Sequence, residues 1–193
     1  MNATDRGPRG GGGKPARVDP AHFRDVLGRF CSGITAVTAD VDGRPVGLTC
    51  QSFMSMSLEP PLVAFAPAIT STSYPSIRET GRFAASVLAE SQVQVALSFA
   101  RSGGDKFADV PWHRGVTGAP LLDGAVAHIE CELADEYRVG DHLLVVGKVV
   151  ALSGHPDAAP LLYFQGSFAA LSASHRPKPE RTGEGKPTAD AGF

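Results

Sequence analysis

The chain has 193 residues, of which 42% are hydrophobic and 20% are charged, and its formal net charge is −2 at pH 7. This length and composition are typical of a single globular domain with a sizeable buried core. The small negative charge gives no general attraction to nucleic acid or to an anionic membrane, so we expect neither partner.

The amino terminus has no apolar stretch after its charges, and no apolar run is long enough to span a bilayer. We therefore expect a cytoplasmic protein without a membrane partner. Cys31, Cys50 and Cys131 form no CxxC pair, which favours buried free thiols over a zinc site or disulfides. The histidines show no metal-ligand spacing, so no metal is predicted.

Residues 1–18 are rich in glycine, arginine and proline and have almost nothing to bury, which predicts a disordered arm. A basic arm that binds nucleic acid is the alternative, but the segment lacks aromatic residues for stacking on bases. Residues 173–193 return to proline, lysine, glycine and glutamate and predict a disordered tail. One domain is expected over residues 19–172.

The first predicted element is an amphipathic helix packed on the core. Asp19 and Pro20 are typical of an N-cap and a first helical position. The apolar residues that follow recur at i, i+3, i+4 and i+7: Phe23, Val26, Leu27 and Phe30. Gly33 is expected to end the helix.

A β-hairpin should follow the helix. Residues 34–40 are rich in β-branched side chains, and Asp42 with Gly43 favours a tight hairpin turn. We therefore expect residues 44–51 to return antiparallel to the first strand.

The stretch 47–61, GLTCQSFMSMSLEPP, interleaves small uncharged donors with apolar residues. It predicts a strand that leaves the sheet, then a turn that gathers N–H groups and hydroxyls around a planar, anionic ligand. The alternative is an ordinary turn rich in serine and threonine.

A central strand is predicted over residues 62–66, followed by four consecutive hydroxyl side chains and a short helix at 75–79. The hydroxyls are those of Thr70, Ser71, Thr72 and Ser73. Hydroxyls and free N–H groups at a helix start are typical of a phosphate site, and a capped turn is the alternative.

After a strand at 83–88, Ser91 and Gln94 indicate a capping box, and a helix should carry a core stripe of Val93, Ala96, Leu97 and Ala100. Arg101 and Lys106 then flank two glycines, which suits either a loop folded over a phosphate or a charged surface turn. Residues 102–118 show no periodicity and predict a long loop, either a partial lid or a connection.

The remaining strands are predicted at 125–136, 142–152 and 161–171. The first should be half-exposed, with His128 and Glu130 on its outer face, and the last should contain a bulge at Gly166. About seven strands without a βαβ rhythm indicate a mainly β fold, an antiparallel Greek-key barrel with peripheral helices.

Three familiar catalytic motifs are missing. Residues 140–148 place six residues between their glycines where a P-loop has four, and neither a GxGxxG turn nor a GxSxG elbow is present. These absences disfavour a P-loop enzyme, a Rossmann dehydrogenase and an acyl hydrolase.

The sequence TCQSFMSMSLEPP, with GDH at residues 140–142, resembles the flavin reductase family over roughly residues 23–171. CQSF is common in the actinobacterial branch of that family. The resemblance implies an FMN-binding split barrel that works as a homodimer, with flavin near the subunit interface. It also implies an oxidoreductase that transfers hydride from NADH or NADPH to FMN or FAD. Reduced flavin would pass by diffusion to a separate flavin-dependent monooxygenase.

The resemblance further implies the site residues. Contacts with the flavin ring and ribityl chain are expected from Thr49, Cys50, Gln51, Ser52, Phe53 and Ser55. The flavin phosphate is expected near Thr70, Ser71, Thr72, Phe99, Ala100, Arg101, Ser102 and Lys106. NAD(P)H is expected near His142, a positioning residue, with Tyr163, Gly166 and Phe168. Without the resemblance, His142 would be read as the first residue of a strand after a turn.

Hydride transfer fits such residues because the flavin and the nicotinamide carry out the reaction, while the protein positions them. Two alternatives stay open. The barrel could hold FMN or haem as a carrier or sensor without turnover, or it could belong to an oxidase or oxygenase that acts directly on an organic substrate.

Overall fold

The computed structural model describes residues 18–155, 158–172 and 174. Residues 1–17 and nearly all of 173–193, where disorder is predicted, lie outside the described residues. In the described part, the helices are α1 Pro20–Leu27, α2 Tyr74–Thr80 and α3 Val93–Ala100, with a 3-10 turn at Glu90–Gln92 before α3. None of these helices is long and apolar enough to cross a membrane.

The strands are β1 Ser32–Gly33, β2 Thr35–Val41, β3 Arg44–Cys50, β4 Met54–Leu58, β5 Pro61–Phe65, β6 Arg82–Val87, β7 Trp112–Arg114, β8 Pro120–Leu122, β9 Ala127–Val139, β10 His142–Gly154, β11 Leu162–Phe164 and β12 Ser167–Ala169.

Seven of the strands form one antiparallel sheet in the order β3-β2-β6-β9-β10-β5-β4. A single apolar cluster joins side chains from strands near both edges, including Leu48 of β3, Phe65 of β5 and Phe83 of β6. Strands so far apart in the sheet share one core only if the sheet curls around it. The prediction of a mainly β, antiparallel barrel with peripheral helices is confirmed.

The first hairpin forms at the predicted turn. Asp42 and Gly43 have φ values of 51° and 83°, the left-handed conformation that a type I′ hairpin turn requires at both positions. The register pairs Thr35 with Cys50 and Val41 with Arg44. This pairing carries the end of β3 to the edge of the barrel where the candidate site lies.

Helix α1 begins as predicted, because the Asp19 carboxylate accepts the His22 N–H at 2.8 Å. It ends earlier than predicted, at Leu27, and Gly28 caps it in place of Gly33. The expectation that its apolar face packs on the core is wrong for the single chain. The side chains on this face are 45% to 79% exposed: Phe23, Val26, Leu27 and Phe30.

The predicted core stripe of α3 is offset. Ala96 and Phe99 are buried, whereas Leu97 is 38% exposed. The predicted capping box at Ser91 is absent, and the Gln92 side chain instead accepts the Ala89 N–H at 2.9 Å. Strand β5 is second from the edge of the sheet, not central, although its last three residues are buried.

The outer face of β9 is covered at His128 and Glu130, whereas Glu132 on the same face is exposed. β7, which lies within the region predicted as a loop, forms a short hairpin with β8, and residues of this hairpin contact the covered part of the face. His128 Nε2 lies 2.9 Å from the Leu122 carbonyl oxygen, and Glu130 accepts the Thr117 N–H at 2.8 Å. His128 and Glu130 are therefore buried, which a strand pattern alone does not reveal.

The final predicted strand is instead the hairpin β11–β12. Gln165 and Gly166 form its turn, with φ values of 48° and 79°, so Gly166 is a turn residue and not a bulge. Among the cysteines, Cys50 and Cys131 are buried as expected, but Cys31 is exposed.

Candidate functional site

A cavity of about 540 Å³ opens where β3 and β5 end. Four chain segments and the first residue of β10 line it: Leu48, Thr49, Cys50, Gln51, Ser52; Ala66, Pro67, Ala68; Thr70, Ser71, Thr72, Ser73; Phe99, Ala100, Arg101, Ser102, Lys106; and His142. Its volume lies within the range of roughly 300–1,000 Å³ that is usual for small-molecule sites.

Hydrogen bonds fix the floor of the cavity to its neighbours. The Ser52 Oγ accepts the Ala66 N–H at 2.8 Å and lies 3.3 Å from the Ala66 carbonyl oxygen, to which it donates. The Thr49 hydroxyl donates to the Ala96 carbonyl at 2.8 Å, which ties β3 to α3. Both hydroxyls therefore hold the shape of the floor, and they have less capacity left for a ligand.

Cys50 lies at the end of β3 with its side chain buried. Its Sγ is 3.0 Å from the Thr35 Oγ1, which also donates to the Cys50 carbonyl at 3.2 Å. Burial raises the pKa of the Cys50 thiol. The thiol is thus a neutral, apolar part of the floor at physiological pH.

Lys106 joins three parts of the site. Its Nζ donates to the Gly47 carbonyl at 2.9 Å, to the Ser73 Oγ at 3.0 Å and to the Phe99 carbonyl at 3.2 Å. An ammonium has three N–H groups, so these contacts use all of them. Its charge lies near the carboxyl end of α3, where the helix dipole favours a cation. Desolvation by burial lowers the pKa of Lys106.

Hydroxyl groups line the edge of the cavity between β5 and α2. The Ser71 Oγ accepts the Tyr74 N–H at 3.2 Å, which engages one amide of the first turn of α2. Thr70 and Thr72 make no hydrogen bond to the described part of the chain through their hydroxyls, and both side chains line the cavity. These groups, with the exposed Arg101 and the Lys106 charge, suit an anionic ligand group.

His142 reaches the cavity because the segment after β5 pairs with the start of β10. Ala68 forms an isolated bridge with His142, and the Leu143 N–H donates to the Pro67 carbonyl at 3.0 Å. The His142 Nδ1 lies 2.7 Å from the Asp141 carboxylate. This hydrogen bond lowers the pKa of Asp141, and it assigns the Nδ1 proton, so Nε2 is the free ring nitrogen.

Gly47 permits α3 to pack closely on β3. A Cβ at this position would lie 2.6 Å from the Phe99 ring and 3.1 Å from the Val37 carbonyl oxygen. Phe99 also lines the cavity and stacks edge-on against Phe107, with centroids 4.8 Å apart. The wall formed by α3 thus depends on the missing side chain of Gly47.

The structure brings most of the predicted site residues together. Those that line the cavity are Thr49, Cys50, Gln51, Ser52, Thr70, Ser71, Thr72, Phe99, Ala100, Arg101, Ser102, Lys106 and His142. Phe53 instead packs against the barrel core, and Ser55 is exposed on the edge strand β4.

Tyr163, Gly166 and Phe168 lie in the β11–β12 hairpin and do not line the cavity within the described chain. The Tyr163 and Phe168 rings contact each other, with centroids 5.6 Å apart, and pack against the second apolar cluster beside α3. Their predicted contact with NAD(P)H stays a prediction.

Sequence reasoning missed four lining residues: Leu48, Ala66, Pro67 and Ala68. Ser73 was predicted only as a member of the hydroxyl run, and it also lines the cavity. A signal was present for residues 66–68, because they lie at the end of a predicted strand, which should be beside the next loop.

The residues present fit a flavin mononucleotide unit. The floor is uncharged and partly apolar, as a planar tricyclic ring requires, and the other lining segments have hydroxyls and cations suited to a phosphate. Among the described residues, no group of three or more histidine, cysteine or acidic side chains is arranged to hold a metal ion.

Comparison with known proteins gives a consistent result. The flavin reductase like domain matches residues 27–172. The HsaB reductase subunit of a flavin-dependent monooxygenase from Rhodococcus jostii (strain RHA1) is 44% identical over 154 residues, which are 80% of this chain and 79% of the relative.

Two solved structures are similar along nearly their whole length. The nitrilotriacetate monooxygenase component B homologue from Mycobacterium thermoresistibile has a TM-score of 0.78 at 41% identity, covering 84% of this chain and 92% of that one. The Streptomyces globisporus NADH:FAD oxidoreductase SgcE6, in complex with NAD and FAD fragments, has a TM-score of 0.78 at 36% identity, covering 82% and 98%. These likenesses confirm the split-barrel prediction.

Proposed function

Since the chain belongs to the flavin reductase like family, we propose that it transfers hydride from a nicotinamide to a flavin and supplies the reduced flavin to a separate monooxygenase. The observation that carries this function is the composition of the cavity. One part of its lining is uncharged, another part has hydroxyls and cations, and His142 also lines it.

The chemistry that a bound flavin supplies is the acceptance of hydride from the nicotinamide. The chain's own residues then have to bind the flavin and the nicotinamide, orient them and exclude water from the site. The end of β3, held by Thr49 and Ser52, forms a rigid floor for a ring system. Thr70, Thr72 and Arg101 lie where they can donate to the phosphate, and Lys106 contributes its charge from a fixed position.

His142 is proposed to position the nicotinamide. Its Nδ1 is engaged with Asp141, which orients the ring and leaves Nε2 for a hydrogen bond with a carboxamide or a phosphate. Replacing His142 by alanine should raise the KM for NADH more than it lowers kcat, because a binding contact is lost and no proton donor is removed. His113, an exposed histidine bonded to Asp123 outside the cavity, is the matched control, and its replacement should leave both constants unchanged.

NADH is proposed as the reductant, as in the name of the Streptomyces relative, with NADPH as the alternative. The flavin is FMN or FAD. A steady-state assay of nicotinamide oxidation that crosses the two nicotinamides with the two flavins tests these assignments. Oxidation of NADH that does not depend on added flavin would contradict the reductase function. Tightly bound pigment without NADH oxidation would favour the carrier alternative instead.

We further propose that the chain forms a homodimer. The apolar side chains of α1 are exposed in the single chain, and so are Met54, Met56 and Leu58 of the edge strand β4. Exposed apolar surface of this kind is typical of a protein interface. The predicted nicotinamide contacts of Tyr163, Gly166 and Phe168 would then have to come from the hairpin of the second subunit.

A pair of matched substitutions tests the dimer. Phe30, which follows α1, is 79% exposed, and Val116 is 78% exposed between β7 and β8. Phe30→Asp should shift the mass measured by light scattering towards the monomer, whereas Val116→Asp should leave it unchanged. A wild-type chain that is monomeric and fully active would contradict the proposal.

A further inference from the structure

We propose that Tyr74 is a positioning residue for the flavin site: through its hydrogen bond to Glu136 it fixes the hydroxyl run of residues 70–73 against the β9–β10 hairpin. The inference rests on the proposed function, because it assigns a role to a side chain that lies behind the site and does not line the cavity. It is carried by the way in which the hydroxyl run is attached to the barrel.

The hydroxyl run lies between two attachments to the same hairpin. Just before the run, the Ile69 N–H donates to the Asp141 carbonyl at 3.0 Å, in the turn between β9 and β10. Just after it, the Tyr74 hydroxyl donates to the Glu136 Oε2 at 2.5 Å, in β9. The four residues between these points therefore span a fixed gap, because one pair of strands holds both ends of the span.

Tyr74 can transmit this constraint to the residues that line the cavity. It is 3% exposed, and its ring packs edge-on against Phe65, with centroids 6.0 Å apart. Its N–H donates to the Ser71 Oγ at 3.2 Å, and the preceding residue, Ser73, is the N-cap of α2. A shift of the Tyr74 ring would thus move Ser71 and Ser73 as well, because all three belong to one short, hydrogen-bonded stretch of chain.

Glu136 is the acceptor that holds the Tyr74 ring. It pairs with Val145 in the register of β9 and β10, so its backbone is fixed within the sheet. Arg78 of α2 also contacts Glu136, at 3.3 Å between Nε and Oε2, but 60% of the Arg78 side chain is exposed. An exposed ion pair contributes little to stability.

The phenol is therefore the main attachment of α2 to β9. A hydrogen bond from a hydroxyl to an ionised carboxylate is short and stronger than one between neutral groups. Burial, together with the hydrogen bond to Glu136, raises the pKa of Tyr74. The hydroxyl consequently stays protonated and able to donate.

A fixed hydroxyl run should favour flavin binding. Thr70 and Thr72, the proposed donors to the flavin phosphate, lie within the span. Donors that are already in place bind an anion more tightly than donors that have to be ordered first. His142 keeps its own attachment to the loop, the bridge with Ala68, at the other end of the span. Loss of the phenol should therefore affect the flavin and not the nicotinamide.

The test is the affinity of the apoprotein for FMN, measured by quenching of flavin fluorescence, together with the steady-state constants of NADH oxidation. Tyr74→Phe keeps the ring and removes only the hydroxyl. It should weaken FMN binding and raise the KM for flavin by about fivefold, with no change in the KM for NADH or in kcat at saturating flavin. Tyr137→Phe is the matched control, because Tyr137 follows Glu136 on β9, is 54% exposed, and makes no side-chain hydrogen bond with the described residues.

Changes at the acceptor distinguish positioning from a general loosening of the fold. Glu136→Gln should stay within about twofold of the wild type in FMN affinity, because the glutamine carbonyl can accept the same hydrogen bond. Glu136→Leu should weaken FMN binding as Tyr74→Phe does. The double variant should bind FMN no more weakly than either single variant, since both remove the same contact. Arg78→Ala should leave FMN affinity unchanged.

An unchanged FMN affinity in Tyr74→Phe would overturn the inference, even if the variant unfolds at a lower denaturant concentration, because the role of the phenol would then be in stability alone. Parallel increases in the KM for flavin and the KM for NADH would also overturn it. The proposed function fails separately. A wild type that binds FMN but does not oxidise NADH when flavin is added would refute the reductase function, and the fluorescence titrations would still decide the role of Tyr74. A wild type that binds no FMN would refute both.

Discussion

Replacing Lys106 by methionine should loosen the phosphate edge of the site, because one side chain joins β3, α2 and α3 there. Methionine keeps a similar unbranched length and the apolar contacts of the stem, but it removes three hydrogen bonds of 2.9, 3.0 and 3.2 Å. A hydrogen bond from a charged donor contributes about 1.5–3 kcal/mol. The change therefore isolates the ammonium group.

The expected loss of stability is smaller than the sum of three such bonds. Lys106 is only partly buried, so water reaches some of the vacated acceptors, and methionine avoids the desolvation that lowers the pKa of the lysine. We expect the free energy of unfolding to fall by about 2 kcal/mol. For a domain of this size, this corresponds to a decrease in Tm of roughly 4–8 °C.

The same substitution should weaken flavin binding by about tenfold or more, because it removes a positive charge beside the proposed phosphate position. Denaturant unfolding of the apoprotein measures the loss of stability, and fluorescence titration with FMN measures the loss of flavin affinity. Lys148 is the matched control, since it is exposed on β10 and its side chain makes no hydrogen bond or ion pair with the described residues. If Lys106→Met and Lys148→Met unfold at the same denaturant concentration and bind FMN equally, the role given to Lys106 is wrong.

Three further predictions concern the floor, the rim and the thiols. Ser52→Ala should lower the free energy of unfolding, measured in denaturant, by about 1–3 kcal/mol, because the Ala66 amide and carbonyl lose their partner. The control Ser55→Ala, on the exposed edge strand, should change it by less than about 0.5 kcal/mol. Asp141→Ala should raise the KM for NADH severalfold and Asp141→Asn should not, since the asparagine side chain can still accept the hydrogen bond from Nδ1 that orients His142. Equal KM values for the two variants would exclude this orienting role. Burial raises the pKa of the Cys50 thiol, and it raises the pKa of the Cys131 thiol to about 12. At pH 8 both thiols should therefore escape alkylation in the folded protein and react after unfolding, as measured by peptide mass spectrometry. Rapid labelling of either thiol in the folded state would contradict their burial.

Local chemistry made the site largely predictable from the sequence. The hairpin turn at Asp42 and Gly43 needs only two residues that tolerate a left-handed conformation, and it fixes where β3 ends. The hydroxyl run and the glycine loop were recognisable for the same reason, because each lies within a few consecutive residues. The family resemblance then joined these separate segments into one site.

The features that sequence reasoning missed depend on distant contacts. The burial of His128 and Glu130 requires the β7–β8 hairpin, whose three-residue strands are too short to show a periodic pattern. The apolar residues of α1 recur with helical spacing, which predicts that this face is buried. The spacing does not indicate which surface covers the face. A turn and a bulge at position 166 would both favour glycine, so the sequence does not distinguish them. Only the pairing of β11 with β12 shows that Gly166 lies in a turn.

The loop at residues 101–107 meets the barrel mainly through two neighbouring side chains, the Lys106 ammonium and the buried Phe107 ring. Its exposed tip can therefore change in length or composition while both anchors and the sheet beneath them stay intact. Exchanging this tip between related reductases should therefore change the surface beside the cavity without redesigning the core.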